Sequence, residues 1–76
     1  MREKDKKKIP PPPTNQVTGI EVTEWLQYGY VLITDGGAFY TLMNGRLHTK
    51  TINSNWRNCE MPLNALMRNK YMVEEK

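Results

Sequence analysis

Few residues of this chain could take part in bond-making chemistry. His48 is its one histidine and Cys59 its one cysteine. A nucleophile and its base must lie within hydrogen-bond reach, and the spacing of these two residues gives no reason to expect contact. A single histidine without regularly spaced Cys, Asp or Glu partners does not indicate a metal site, and no glycine-rich loop leads into a helix as phosphate-binding loops do. The sequence therefore predicts a protein that is not an enzyme and needs neither metal nor cofactor.

Binding is the better-supported chemistry, because aromatic, apolar and cationic side chains alternate along the predicted strands. Residues two apart in a strand share a face, so one face combines Phe39 and Met43 with cations. Aromatic rings stack on nucleobases while cations neutralise phosphates, and the same side chains are enriched at protein interfaces. A further interpretation is that a helix or a second subunit covers this face as core. The predicted binding residues are Tyr30, Phe39, Met43, Arg46, His48 and Lys50.

A three-stranded antiparallel meander is predicted to present this face. Its strands are rich in β-branched and aromatic side chains, and glycine-containing turns separate them. Asn44-Gly45 favours a two-residue type I′ turn, which sets Met43 opposite Arg46 in the second hairpin. The predicted strands are residues 30–34, 38–43 and 46–52.

The first hairpin is predicted to have a two-residue turn within Asp35-Gly36-Gly37. The two possible placements of that turn differ by two residues in the strand pairing. Because side chains alternate between faces, both placements put the same residues on the same face. We therefore expect Val31 and Ile33 to share the core face with Tyr40, while Leu32 lies with the predicted binding residues.

Two short helices flank the meander. Residues 19–28 have helical spacing, with Thr18 and Glu21 placed to form a capping box. Gly29 stands where a left-handed C-terminal cap is expected. A second helix is predicted over residues 62–69, because proline suits the first turn of a helix.

The remaining segments complete an α+β fold. Residues 56–60 are irregular or form a short strand, and residues 71–74 form a closing strand with Tyr71 and Val73 facing inward. We predict an antiparallel sheet of three to four strands with two short helices, in the order α-β-β-β-α-β.

The net positive charge of the chain is confined to its first eight residues. They hold five Lys/Arg against two acidic residues, whereas residues 9–76 hold six of each sign, so the net charge of +3 belongs to this segment. Prolines at positions 10–13 favour extended polyproline II, and the segment has too little apolar surface to offset the entropy of ordering. We predict a disordered tail over residues 1–16 and a compact domain over residues 17–76. The tail residues predicted to contact phosphates or an acidic partner are Arg2, Lys4, Lys6, Lys7 and Lys8.

Two other roles for the tail stay open. It could simply keep a neutral domain in solution, since charged, unstructured segments solvate well. The run Ile9-Pro10-Pro11-Pro12-Pro13 could also dock into an aromatic groove, which is one way that proteins recognise proline-rich segments.

A cytoplasmic protein is expected. The chain has no apolar run of about 18 residues, the length that indicates a membrane-spanning helix. Its charged start is not followed by the apolar segment of a signal peptide, and its single cysteine cannot form an intramolecular disulfide. A domain of roughly sixty residues has a thin core, and such domains often gain stability by forming homo-oligomers.

One ordered series of motifs carries a resemblance to known proteins. A helix ending in Leu-x-x-Gly precedes an aromatic strand, Asn-Gly and Leu, an isolated Trp, a Leu-containing helix and a closing Tyr-x-Val-Glu-Glu. The positions are Leu26, Gly29, Tyr40, Asn44, Gly45, Leu47, Trp56, Leu66, Tyr71 and Val73. In these the chain resembles small phage and prophage proteins of Gram-positive bacteria and, more loosely, the Thoeris anti-defence sponge proteins. It departs from the sponge pattern by its shorter length, its Lys/Pro tail and a closing Tyr71 in place of Trp.

The resemblance implies a phage-encoded, non-enzymatic binding protein that inhibits a host defence component. Its partner would be a host protein, whose surface it occupies, or a nucleotide-derived signalling molecule, which sponge proteins sequester as oligomers. An alternative hypothesis is a protein that binds nucleic acid or modulates transcription through its basic arm, although the neutral domain disfavours it. A structural protein of the virion is a third hypothesis.

Overall fold

The computed structural model describes residues 9–75, which form five antiparallel strands and two short helices. The strands lie in one sheet in the order β4-β3-β2-β1-β5. The predicted α+β class is confirmed, with one strand more than the upper limit expected. In chain order the elements are α1 (Ile20–Gln27), β1 (Val31–Ile33), β2 (Ala38–Met43), β3 (Arg46–Thr51), β4 (Arg57–Asn58), α2 (Leu63–Leu66) and β5 (Met72–Glu74).

The hairpin between β2 and β3 has the predicted register. Met43 pairs with Arg46 across the turn, and the pairing continues along both strands to Ala38 and Thr51. Both turn residues have positive φ, 53° at Asn44 and 80° at Gly45, as a type I′ turn requires. The Asn-Gly signal is therefore sufficient to place Phe39 and Lys50 on the same face.

The turn between β1 and β2 is one residue longer than predicted. Thr34 N–H donates to the Ala38 carbonyl at 2.9 Å, and Gly37 N–H donates back to the Thr34 carbonyl at 3.1 Å. Gly37 has a φ of 89°, which identifies a three-residue loop that ends in a left-handed glycine. The loop is stabilised further because Ala38 N–H also donates to the Thr34 hydroxyl at 3.0 Å.

The longer turn reverses the two faces of β1, so the predicted face assignment of that strand is wrong. Leu32 pairs with Tyr40 and Ile33 with Phe39. A shift of one residue exchanges every side chain between the faces of a strand. Leu32 is therefore fully buried in the core, whereas Val31 and Ile33 share the face of Phe39.

Helix α1 begins without the predicted capping box. Its N-cap is Gly19, with φ 70°, and no side chain caps the helix. The Thr18 hydroxyl instead donates to the carbonyls of Met67 at 3.2 Å and Asn69 at 2.9 Å. Gly19 N–H donates to the same Met67 carbonyl at 3.0 Å. Tertiary hydrogen bonds to the segment after α2 therefore replace the local cap.

The C-terminal end of α1 is as predicted. Gly29 has a φ of 95°, and its N–H donates to the Leu26 carbonyl at 3.0 Å. Tyr30 N–H reaches back to the Trp25 carbonyl at 3.3 Å. This pair of bonds is the Schellman arrangement, in which a left-handed residue lets the chain leave the helix.

Helix α2 is a single turn rather than the predicted span of residues 62–69. Beyond Leu66, the N–H groups of Arg68 and Asn69 donate to carbonyls only three residues earlier, which closes the last turn tightly. The Met67 carbonyl is already bonded to the N-terminal segment of α1.

The core lies between the two helices and one face of the sheet. Its buried cluster consists of Val17, Val22, Leu26, Tyr30, Leu32, Leu66, Tyr71 and Val73. Tyr71 and Val73 face inward, as predicted, and Val17 extends the sheet beyond β5 by pairing with Tyr71. Within residues 9–75, no helix is long and apolar enough to cross a membrane.

Tyr71→Phe is expected to lower the free energy of unfolding by about 0.5–1.5 kcal/mol, because the Leu66 carbonyl keeps the Asn69 N–H as a donor but loses the hydroxyl. The fully buried Tyr71 hydroxyl donates to the Leu66 carbonyl at 2.7 Å. Burial also raises the pKa of Tyr71 above its ordinary value of 10.0. Above pH 10 the unfolded state therefore releases the Tyr71 proton, which the folded state keeps. The stability that Tyr71 contributes is complete below pH 10 and declines above it.

Urea unfolding at neutral and at alkaline pH measures both effects. Tyr71→Phe should be less stable than the wild type at neutral pH and should lose less stability on going to alkaline pH. Equal stability of the two proteins at neutral pH would show that this hydrogen bond contributes little.

Part of the proline-rich segment lies against the domain. Pro10, Pro12 and Pro13 are half-buried, and the Pro10 carbonyl accepts a hydrogen bond from the Tyr30 hydroxyl. The predicted boundary between residues 16 and 17 stays a prediction. The predicted tail contacts Arg2, Lys4, Lys6, Lys7 and Lys8 lie outside the described residues.

Candidate functional site

The sheet face opposite the helices carries most of the predicted binding residues. We call it the mixed face. Because α1 and α2 pack on the side of Leu32, they do not cover it, which removes the interpretation that a helix of the described chain buries this face as core. The register of the strands places on the mixed face Val31, Ile33, Phe39, Thr41, Met43, Arg46, His48, Lys50, Met72 and Glu74.

A cavity of about 290 Å³ opens at this face. Its size is close to the lower end of the range for small-molecule sites. Most of its lining is apolar, with one cation on β3 and two carboxylates at the end of β5. The lining residues are Val31, Ile33, Phe39, Met43, Lys50, Trp56, Glu74 and Glu75.

The ammonium group of Lys50 lies against two aromatic rings of the cavity. Its Nζ is 5.6 Å from the centroid of Phe39 and 5.5 Å from that of Trp56. Both distances are within the range of cation–π attraction. Phe39 and Lys50 are direct cross-strand partners, so the hairpin itself fixes one half of this arrangement.

Trp56 is the main residue of the site that sequence reasoning missed. It follows β3 after a turn in which Thr51 N–H donates to the Ser54 hydroxyl at 2.9 Å and Ser54 N–H donates to the Thr51 carbonyl at 3.1 Å. The chain then returns along β3 as β4, so Trp56 lies at the start of this return, beside Lys50. The isolated tryptophan after Asn53-Ser54-Asn55 was a usable signal, because a turn there brings the next residues back to the sheet.

The carboxylates of Glu74 and Glu75 give the cavity an acidic side. Glu74 pairs with Val31 across the β1–β5 ladder, while Lys50 lies on β3, three strands away from β5. The site is therefore polarised, with its cation toward β3 and its anions toward β5. The two glutamates are not among the predicted binding residues, because the partner of the closing strand cannot be deduced from local turns.

Arg46 and His48 share the mixed face but do not line this cavity. His48 Nδ1 lies 3.0 Å from the Arg46 carbonyl oxygen, and Arg46 is exposed beside the turn at the end of the hairpin. Arg46 instead borders a second depression, of about 340 Å³, together with Cys59 and Glu60. The structure thus brings Phe39, Met43 and Lys50 together and leaves Arg46 and His48 at the edge.

Tyr30 was wrongly placed on this face. It is 9% exposed and belongs to the core cluster, with its ring 5.4 Å from that of Trp25. The reversed register of β1 explains this error. Leu32 faces the helices, and Tyr30, two residues earlier, lies on the same side.

Within the described range, no group of three or more His, Cys, Asp or Glu residues could hold a metal ion. No protein family model matches this chain, and no curated protein or solved structure matches it either. The resemblance to phage accessory proteins therefore stays a prediction, and the geometry of the mixed face is what supports a function.

Proposed function

We propose that this protein is a non-enzymatic binding protein that captures a nucleotide-type ligand, with an aromatic base and a phosphate, on the mixed face. The observation that carries the proposal is the cavity in which Lys50 lies against Phe39 and Trp56. Aromatic rings offer a stacking surface for any base, and a neighbouring ammonium group offers a partner for the phosphate.

The polarity of the cavity sets the orientation of such a ligand. The phosphate lies toward β3, where Lys50 supplies positive charge. The base stacks on the rings of Phe39 and Trp56, and an exocyclic amino group that extends toward β5 can donate a hydrogen bond to Glu74 or Glu75, which line the same cavity. Repulsion between phosphate and these carboxylates disfavours the reversed orientation.

Binding requires the Lys50 ammonium to exchange one set of partners for another. Leaving the rings costs about 0.5–1 kcal/mol for a cation–π contact at an exposed site. A charge-assisted hydrogen bond to phosphate is roughly twice as strong as a neutral one and offsets this cost. The vacated ring surface then receives the base, so one movement prepares both halves of the site.

Such a site sequesters its ligand. Inhibition of a host defence component, which the resemblance implies, would follow from removal of a nucleotide signal from the host cytoplasm. Homo-oligomer formation, known for the sponge proteins that the chain resembles, stays a prediction.

A protein partner is the second candidate. Aromatic side chains, Met and Arg are enriched at protein interfaces, and the mixed face combines Phe39, Trp56, Met43 and Arg46. A host polypeptide bound there would be inhibited by occupation of its surface. The alternative of nucleic-acid binding through the basic arm depends on residues 1–8, outside the described range.

Native mass spectrometry of the full chain, purified gently from a bacterial host, tests the proposal. Extra mass of a small nucleotide, with absorbance typical of a base, would support it. A bound polypeptide would favour the second candidate. A chain that carries no ligand and binds none of a panel of nucleotides would contradict the proposal.

Lys50→Met is expected to weaken binding of a nucleoside monophosphate about tenfold, because one charge-assisted hydrogen bond is lost. Binding of the matching nucleoside should not weaken, since methionine keeps an apolar stem beside the rings. Isothermal titration of both ligands separates the two contributions.

Lys70→Met is the matched control, because Lys70 is exposed and borders a different depression, beside Thr34 and Asn69. It removes the same charge away from the cavity. An equal loss of affinity in both variants would indicate attraction by overall charge, which contradicts a specific role for Lys50.

A further inference from the structure

A second group of aromatic rings lies at the end of α1, apart from the mixed face. We call Trp25, Tyr28 and Tyr30 the aromatic cluster. The Trp25 ring is 5.4 Å from Tyr28, edge to face, and 5.4 Å from Tyr30. The left-handed Gly29 ends the helix between the two tyrosines, so both of them can border the same tryptophan.

The aromatic cluster is in contact with the proline-rich segment of its own chain. The Tyr30 hydroxyl donates a hydrogen bond to the Pro10 carbonyl at 2.5 Å. Pro11 and Thr14 are exposed, whereas the three prolines at positions 10, 12 and 13 are half-buried. Four consecutive prolines favour polyproline II, and three of them are partly buried.

The chemistry of this contact suits a proline-rich segment. Proline has no N–H, so such a segment offers only carbonyl acceptors and flat apolar rings to a partner. Aromatic-lined grooves recognise these features, and the prearranged polyproline II conformation keeps the entropy cost of binding low. Tyr30 supplies the hydroxyl donor, and Trp25, next to Tyr30, and Tyr28, next to Trp25, keep ring surface that is not buried in the core.

We propose that the aromatic cluster is a binding site for polyproline II segments, and that it takes a proline-rich segment of a partner protein in competition with the chain's own residues 9–13. This site is independent of the nucleotide site on the mixed face. Because the attached segment acts at an effective concentration in the millimolar range, it holds the site unless a partner binds more tightly.

A peptide with the sequence of residues 9–14, titrated into the full chain and followed by NMR, tests this proposal. The readouts are the indole signal of Trp25 and the ring signals of Tyr28 and Tyr30. The same titration is made with a full-length variant in which Pro10, Pro12 and Pro13 are replaced by Gly, and with a control peptide in which Ala replaces every Pro.

The glycine variant should bind the proline peptide on the order of tenfold more tightly than the wild type, because its own segment no longer competes. The alanine peptide should shift none of these signals. Added to the glycine variant, Tyr30→Phe should weaken peptide binding by about 2- to 12-fold through loss of one hydrogen bond.

Three results would overturn the proposal. One is a proline peptide that shifts no signal of the aromatic cluster in either protein, and another is an alanine peptide that binds as well. The third is equal affinity in the wild type and the glycine variant. Tyr30→Phe in the otherwise unchanged chain gives an independent readout. It should move the Trp25 indole signal toward its position in the glycine variant, and an unmoved signal counts against the docked segment.

Discussion

Leu32→Ala should lower the free energy of unfolding by about 2–5 kcal/mol, whereas Ile33→Ala should lower it by less than about 1.5 kcal/mol. Leu32 is fully buried between the sheet and α1, so its truncation removes apolar contacts and leaves a cavity. Ile33 is half-exposed on the mixed face, where solvent fills the space left by the missing atoms. Urea unfolding of both variants, followed by circular dichroism, measures the difference.

This pair of variants tests the three-residue turn directly. With a two-residue turn the two residues would exchange environments, so a larger loss for Ile33→Ala would contradict the observed register. A domain of this size has a stability of only several kcal/mol, and Leu32→Ala could leave it unfolded. Leu32→Val is the milder variant, and its loss should still exceed that of Ile33→Val.

Trp56→Ala should weaken the binding of a nucleoside monophosphate by about 5- to 150-fold, which corresponds to the 1–3 kcal/mol that one base–aromatic stack contributes. Phe39→Ala should have an effect in the same range, since its ring borders the same cavity. Both side chains are half-buried outside the core cluster, so we expect the variants to remain folded. Isothermal titration gives the affinities, and circular dichroism checks the fold.

Tyr28→Ala is the matched control for these two variants. Tyr28 is an aromatic residue with 44% exposure at the end of α1, on the helix side of the sheet. Its removal should leave nucleotide affinity unchanged. Wild-type affinity in a folded Trp56→Ala protein would contradict the stacking role of the cavity.

The parts of the fold that depend on local signals could be predicted from the sequence. Asn44-Gly45 determines the β2–β3 register, because a type I′ turn allows one pairing of the flanking residues. Gly29 likewise determines where α1 ends. The Asn44-Gly45 turn by itself places Phe39, Met43 and Lys50 on one face.

The errors arose where a local pattern allows two outcomes. Asp35-Gly36-Gly37 fits either a two-residue or a three-residue turn, and the hydrogen bonds of Thr34 with Ala38 and Gly37 decide between them. The capping box of Thr18 is a similar case, because carbonyls beyond α2 take its hydroxyl. A choice between local and distant partners depends on packing that short-range patterns do not contain.

The candidate site was only partly predictable for the same reason. Its second ring and its carboxylates come from segments distant in sequence, namely the loop before β4 and the end of β5. Trp56 and Glu74 join the site only because β4 pairs with β3 and β5 pairs with β1. Strand order across a whole sheet is a global property, so the polarity of the cavity could not be predicted from the turns alone.

The central claim is that the mixed face binds a ligand with a base and a phosphate. Its most direct test is an NMR titration of the isotope-labelled full chain with adenosine monophosphate, alongside adenosine and inorganic phosphate. We predict that the monophosphate shifts the signals of Phe39, Lys50, Trp56 and Glu74, leaves the Trp25 indole in place, and binds more tightly than either of its parts. If none of the three ligands at millimolar concentration moves these four signals, or if the shifts lie on the helix side of the sheet, the claim is wrong.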